Sequence, residues 1–210
     1  MPWFFRSVCR TASTILIWLC LFMNTLALNY LNNWLPTLTT EAGLPESQAL
    51  RAAAFLQFGG MLGVITLGFL ADRFGFYRVL AGSFAGGGIF IALIGLAGAA
   101  FGPMSATIFV AGFFNIGTQI TLAALAATLY PTDLRSTGVS WAHGVARVGS
   151  IISVMFAGTM LALHWPLQTM YLLVSIPMFF GCIWIMLLSS ARAKSRDAAE
   201  PESSRARAMA

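Results

Sequence analysis

Six apolar runs of about 20 residues, each closed by a short polar break, constrain this chain more than any other feature. About 20 apolar residues is the length a helix needs to cross a hydrocarbon layer of roughly 30 Å. The runs predict membrane helices over 13–35, 50–71, 79–100, 105–130, 137–163 and 168–189. Between them lie Glu41 to Pro45, Asp72 to Arg78, Phe101 to Pro103, Pro131 to Arg135 and His164 to Pro166. Breaks this short leave room only for turns, so consecutive helices run antiparallel. Composition points the same way: 58% of residues are hydrophobic and 9% are charged, against about 25% charged in a soluble domain. One soluble core cannot absorb that much apolar sequence. The expected fold is all-α: six transmembrane helices over 13–189, with a cytoplasmic segment at 1–12 and a tail at 190–210. That tail is Ala, Ser and charge without an apolar period, and is expected to be a disordered cytoplasmic end.

The distribution of positive charge sets the orientation. Arg6, Arg10, Arg73, Arg78, Arg135, Arg192, Lys194, Arg196, Arg205 and Arg207 fall on the face that carries both termini, and only Arg51 falls on the other. This asymmetry places both termini in the cytoplasm and the loop with Glu41 and Glu46 outside, in a multi-pass protein of the inner (plasma) membrane. Arg6 and Arg10 ahead of an apolar stretch also fit the opening of a secretory signal, but no small-x-small cleavage site follows Leu28 and five more spans come after it. The net charge of +5 does not indicate nucleic acid, because the basic residues sit at helix ends rather than in a patch interleaved with stacking aromatics. Cys9, Cys20 and Cys182 are odd in number and lack ligand spacing, so neither a disulfide framework nor a metal site is expected, and no cofactor.

Chemistry is confined to a few polar residues inside the spans. Arg147 lies ten residues beyond Thr137, about 15 Å along its helix and near mid-membrane. A guanidinium keeps its charge at that depth and needs a partner or a wet cavity. The acidic residues Glu41, Glu46, Asp72, Asp133, Asp197, Glu200 and Glu202 all lie in loops or the tail. The counter-ion then comes from a carboxylate on another protein segment or from an anionic substrate, unless backbone carbonyls, water or snorkelling satisfy the charge. His143 precedes Arg147 by one helical turn and Ser140 precedes His143 by another, so the three share a face. His143 is able to carry a proton near neutral pH, or to donate to a neighbouring carbonyl. On the fourth helix Asn115 and Gln119 are four apart beside Thr118, and on the first Asn29 and Asn33 are flanked by Tyr30 and Trp34. Such amides line a polar path or serve as interhelical glue. Glycines at 59, 63 and 68, and at 82, 86 and 95, predict close helix packing. The loop from Gly68 through Asp72, Arg73 and Gly75 to Arg78 has the makings of a cytoplasmic gate latch, with Arg135 on the same face.

That loop, Gly68-Phe-Leu-Ala-Asp72-Arg73-Phe-Gly75, resembles the Gly-x-x-x-Asp-Arg-x-Gly signature of major facilitator superfamily transporters. It departs after Gly75, where Phe76 and Tyr77 stand in place of basic residues and Arg78 remains. The segments YLNNWLPT from Tyr30, Phe58-Gly59-Gly60, and YPTDLRSTGVSWAHGVAR from Tyr130 to Arg147 are similar to the C-terminal half of the aromatic acid:proton symporter family, which includes 4-hydroxybenzoate and benzoate carriers. The resemblance implies half of a twelve-helix fold, the half itself being two inverted three-helix repeats. It also implies a missing N-terminal six-helix half. Arg147 matches an intramembrane arginine proposed to serve substrate binding or the transport cycle, Arg135 a loop arginine, and Asp72 the acidic loop residue. Tyr77 stands where the family has a histidine. The acidic motif of the family's first helix, tied to proton coupling, has no counterpart here, so the coupling ion is left open.

The expected function is proton-coupled uptake of aromatic carboxylates by a transporter of which this chain is a C-terminal half or fragment. Arg147, His143, Asn115, Gln119 and Tyr30 are the candidate substrate ligands; Gly68, Asp72, Arg73, Arg78 and Arg135 form the candidate cytoplasmic gate. The partners are then a small organic anion, a proton, the lipid bilayer and the second half. The alternative is a membrane scaffold, or a split-transporter half with no transport alone. An enzyme is not expected: the spans carry no carboxylate and no nucleophile placed to use His143.

Overall fold

In lipid, each backbone N–H and C=O must be satisfied within its own segment, and the computed structural model meets that requirement with six long helices. The structure describes the backbone of residues 2–97, 101–129 and 135–208 and the side chains of 13–97, 101–129 and 135–190. The helices are α1 (Pro2–Glu41), α2 (Glu46–Phe74), α3 (Phe76–Leu96), α4 (Phe101–Leu129), α5 (Arg135–Ala162) and α6 (Leu167–Ala208). Six stretches within them are long and apolar enough to cross a membrane: Ser13–Glu41, Glu46–Phe74, Phe76–Leu96, Phe101–Leu129, Arg135–Ala162 and Leu167–Ser190.

The boundaries differ from the sequence expectation by one to four residues at most ends, and by six at the end of α1. α1 runs past Pro36 to Glu41, because a membrane helix tolerates one missing N–H where neighbouring groups and side chains re-satisfy the backbone. Pro103 sits inside the first turn of α4, where its lost N–H would have had no intrahelical partner in any case. The backbone of α6 continues to Ala208 through the stretch expected to be disordered; Ala, Arg, Lys and Glu are all good helix formers. Among the described residues three turns carry a positive φ, the one between α5 and α6 at His164 with φ 54°, and the other two at glycines. Gly75 alone joins α2 to α3 at φ 90°, and Gly43 follows α1 at φ 89°, a region that costs any residue with a Cβ.

Helix directions and neighbours follow from which residues meet. Gly112 of α4 lies against the backbone of Leu56 in α2, and Gly117 against Gly63 and Leu67, so α2 and α4 run parallel. Gly149 of α5 meets Phe22 of α1, and Gly158 meets Trp34, so α1 and α5 run parallel as well. Gly181 meets Phe84, and Gly95 meets Tyr171, which makes α3 and α6 antiparallel. Exchanging α1–α3 for α4–α6 preserves the pairing: α2 on α4 becomes α5 on α1, α1 on α6 becomes α4 on α3, and α3 on α6 maps onto itself. The bundle is therefore two inverted three-helix repeats. α1 and α4 cross in the middle, α2 and α5 flank them, and α3 and α6 pack together behind. Lipid gives no hydrophobic drive between helices, so dispersion and close approach hold the bundle. The tightest seam is α2 against α4, where Gly59 and Gly63 place their helix directly on the backbone of Phe109 and Phe113.

Candidate functional site

The crossing of α1 and α4 carries a buried amide network. Asn24 donates through Nδ2 to Gln119 Oε1 at 2.6 Å and, more weakly, to the Asn115 carbonyl at 3.4 Å. Gln119 also pairs with the Thr25 hydroxyl at 3.2–3.3 Å. Asn115 is fully buried with neither side-chain atom bonded, and Asn24 Oδ1 and Thr118 Oγ1 are likewise unpartnered among the described residues. Asn115 and Gln119, candidates from the sequence, thus come together with Asn24 and Thr25, which sequence reading passed over. The signal was available: Asn24 is a lone amide inside an apolar run. Tyr30 does not join them. It is fully buried, and its ring meets Tyr171 of α6 edge-on at 6.4 Å, because a step of about 100° from Asn29 turns it onto another side of α1. Within this bundle Tyr30 packs between α1 and α6, with its hydroxyl unpartnered among the described residues.

The second polar feature lies on α5. Arg147 is the thirteenth of 28 residues in this helix, close to its midpoint, and its side chain is exposed on the bundle surface. Among the described residues no carboxylate pairs with it. Ser140 is exposed and His143 half-buried on the same stripe, and His143 makes no hydrogen bond among the described residues. Further along that face an open groove of about 330 Å³ runs between α1 and α5, lined by Asn29, Ser150, Ile151, Val154 and Met155. Asn29 donates to the Thr25 carbonyl at 2.9 Å, and Asn33 repeats the pattern onto Asn29 at 2.8 Å. Ser150 donates to the Arg147 carbonyl at 2.7 Å. The arrangement offers a fixed positive charge, one titratable ring, an apolar wall and a carboxamide along one face at mid-membrane. No metal-holding group of His, Cys, Asp or Glu occurs among the described residues.

Comparison with known proteins gives this architecture its family. The model of the Major Facilitator Superfamily matches residues 17–209. The chain belongs to this superfamily. Curated relatives include a gallate transporter of Pseudomonas putida, 34% identical over 88% of this chain and 41% of its own length. The benzoate transport protein of Acinetobacter baylyi is 35% identical over 87% of this chain and 39% of itself. A 3-(3-hydroxy-phenyl)propionate transporter of Escherichia coli is 38% identical over 72% of this chain and 37% of itself. The chain spans about two fifths of the length of these relatives. It is a multi-pass membrane protein with the architecture of a six-helix half of the major facilitator fold, a transporter family rather than an enzyme family.

The superfamily loop signature lies where α2 turns into α3. Asp72, Arg73 and Arg78 are exposed, and Arg73 lies over the Phe74 ring at 5.7 Å. Gly68 has nothing within 4 Å of where a Cβ would be, so no helix approaches it; it is Gly75 whose backbone needs glycine. Arg135, at the start of α5, is exposed too. Among the described residues these charges form no ion pair with one another. Tyr130 to Leu134, the first part of the segment carrying the closest family resemblance, lies outside the described residues.

Proposed function

We propose that this bundle is the C-terminal wall of a proton-coupled importer of aromatic carboxylates in the inner membrane, with both termini cytoplasmic. The missing N-terminal six-helix half supplies the opposite wall and the acidic proton carrier. One observation carries the reading: Arg147, at mid-span, is turned out of its own bundle without a carboxylate partner among the described residues. Hydrocarbon covers such a charge poorly. A substrate carboxylate pairs with a guanidinium in two parallel hydrogen bonds, and the apolar wall of Ile151, Val154 and Met155 suits a ring beside it. The names of the relatives, which carry gallate, benzoate and hydroxyphenylpropionate, support the same substrate class. His143, on the same stripe, is the group of this chain able to take part in proton movement. The amide network of Asn24, Asn115 and Gln119 holds α1 to α4 and borders the cavity. The charged loop around Asp72 and Arg73 closes the cytoplasmic side against the other half.

The test is uptake of labelled 4-hydroxybenzoate by cells expressing this chain alone or with the N-terminal six-helix segment of the Acinetobacter benzoate transport protein. Uptake is expected only with both pieces, to stop on addition of a protonophore, and to be abolished by Arg147→Leu at unchanged membrane abundance. Uptake that persists in Arg147→Leu refutes the role of this residue. Uptake by neither combination favours the alternative, a membrane scaffold.

A further inference from the structure

The α1–α5 groove holds a carboxamide oxygen that the fold leaves uncommitted. The Asn29 amide nitrogen is used, donating to the Thr25 carbonyl. Its carboxamide oxygen makes no bond among the described residues and is absent from the buried polar atoms, so it is reachable from the groove that Asn29 lines. The Ser150 proton is committed to the Arg147 carbonyl, and the other lining groups, Ile151, Val154 and Met155, are apolar. Two acceptors therefore line an otherwise apolar wall, the Asn29 carboxamide oxygen and the Ser150 hydroxyl oxygen, and Ser150, three residues beyond Arg147, lies only about 4.5 Å from it along the axis.

The position of Asn29 relative to Arg147 gives its oxygen a use. Arg147 and Val154 are seven residues apart on one face of α5, about 10.5 Å along the axis. A benzoate ring bearing a para hydroxyl, with a hydrogen bond of about 2.8 Å at each end, spans a comparable length. With the carboxylate at Arg147, the ring lies along Ser150 and Ile151 and its far edge reaches the level of Val154 and Asn29.

Resting on the substrate reading above, we propose that Asn29 is a specificity-determining residue: its carboxamide oxygen accepts the ring hydroxyl of the substrate and selects hydroxylated over unsubstituted aromatic acids. A site that accepts a hydrogen bond from a substrate hydroxyl penalises the analogue lacking it, because the acceptor has lost water and gained nothing. The groove is open, so the penalty is far below that of a closed pocket. One net hydrogen bond corresponds to a preference of roughly threefold to tenfold.

The experiment measures equilibrium binding of labelled 4-hydroxybenzoate and benzoate to the 210-residue chain assembled in lipid nanodiscs with the N-terminal six-helix segment of the Acinetobacter benzoate transport protein, for the unmodified chain, Asn29→Leu, Asn29→Ala and Asn33→Leu. The unmodified chain is expected to prefer 4-hydroxybenzoate. Both Asn29 variants are expected to lose that preference while keeping benzoate affinity, since the Arg147 contact is untouched. Asn33→Leu, one turn away and not lining the groove, should keep the preference. Asn29→Ala is the smaller change and carries the test where Asn29→Leu does not fold. A preference that survives in Asn29→Ala, or affinities for both acids that fall in parallel, overturns the assignment while leaving the substrate reading intact. If neither acid binds the unmodified chain assembled with that N-terminal segment, the substrate reading itself fails, and this assignment with it.

Discussion

Gly63→Ala should destabilise the bundle, and the contacts of Gly63 indicate by how much. A Cβ at residue 63 would fall on the carbonyl oxygen of Phe113, with the carbonyl carbon at 2.7 Å and Cα at 2.9 Å. All three are backbone atoms, so no rotamer change relieves the clash. α2 and α4 must part until those contacts return to the ordinary 3.4–4 Å, a shift of at least about half an ångström against Phe113 Cα and more against its carbonyl. A gap of that size forfeits a quarter to a half of the dispersion well for each neighbouring contact. The seam also includes Gly59 on Phe109 and Gly112 on Leu56, so the loss extends over neighbouring turns. Overpacking of this kind costs about 1–3 kcal/mol, and a rigid backbone clash belongs at the upper end. Replacing glycine inside a helix returns at most about 1 kcal/mol of propensity, leaving a net loss of about 2 kcal/mol. Gly82→Ala is the matched control: residue 82 is also helical but has nothing within 4 Å of the added Cβ. It should gain up to about 1 kcal/mol. Unfolding by sodium dodecyl sulfate in mixed micelles, followed by circular dichroism, should separate the two variants by about 3 kcal/mol. Equal midpoints, or a later midpoint for Gly63→Ala, would refute the close α2–α4 seam.

Three further outcomes follow from the same geometry. A double-mutant cycle of Asn24→Ala and Gln119→Ala should give a coupling of about 0.6 kcal/mol and no more than about 1.7 in the same unfolding assay; zero coupling would mean that the 2.6 Å bond contributes nothing. Gly75→Ala, at φ 90° and ψ 141°, should lose about 1–3 kcal/mol, whereas Gly144→Ala, in open space within α5, should not. With the native cysteines replaced, a cysteine at Glu46 should react with a membrane-impermeant maleimide in intact cells and one at Arg78 only after permeabilisation; the reverse pattern would invert the proposed orientation.

The fold was legible to the extent that lipid makes it so. A bilayer accepts few backbone solutions, so span count and fold class follow from apolar length alone, while the ends shift by up to four residues in most helices and by six where α1 runs past Pro36. Glycine shows the limit of sequence reading. Gly59, Gly63, Gly68 and Gly82 look alike along the chain, yet the first two bear a neighbouring backbone and the last two face open space, because contact depends on which helix lies opposite. The amides divide in the same way. Asn115 and Gln119 were recognisable as polar groups at mid-span, but their partners Asn24 and Thr25 are more than 90 residues away in sequence, and no periodicity encodes that crossing. Tyr30, one residue from Asn29, faces α6 instead of the groove. Sequence gives the depth of each residue, while its facing direction emerges only when the inverted repeats pair.

That distinction bears most on Arg147. Its depth could be counted from the sequence, but depth alone does not separate a charge buried against its own bundle from one directed outward. In the structure α5 spends its small residues, Ala142, Ala146, Gly149, Ser153 and Ala157, on the buried side, where Gly149 lets α1 come close. The opposite side carries Trp141, Arg147, Val148, Ile151 and Met155, all exposed. The close α1–α5 approach therefore fixes the rotation of α5, and that rotation turns the guanidinium outward. Were Gly149 replaced by a large residue, α5 would have to move away from Phe22 of α1, and the groove beside Asn29 would change with it. Packing and the candidate site are in this sense one constraint: the small-residue seam that holds the helix is also what aims its single intramembrane charge.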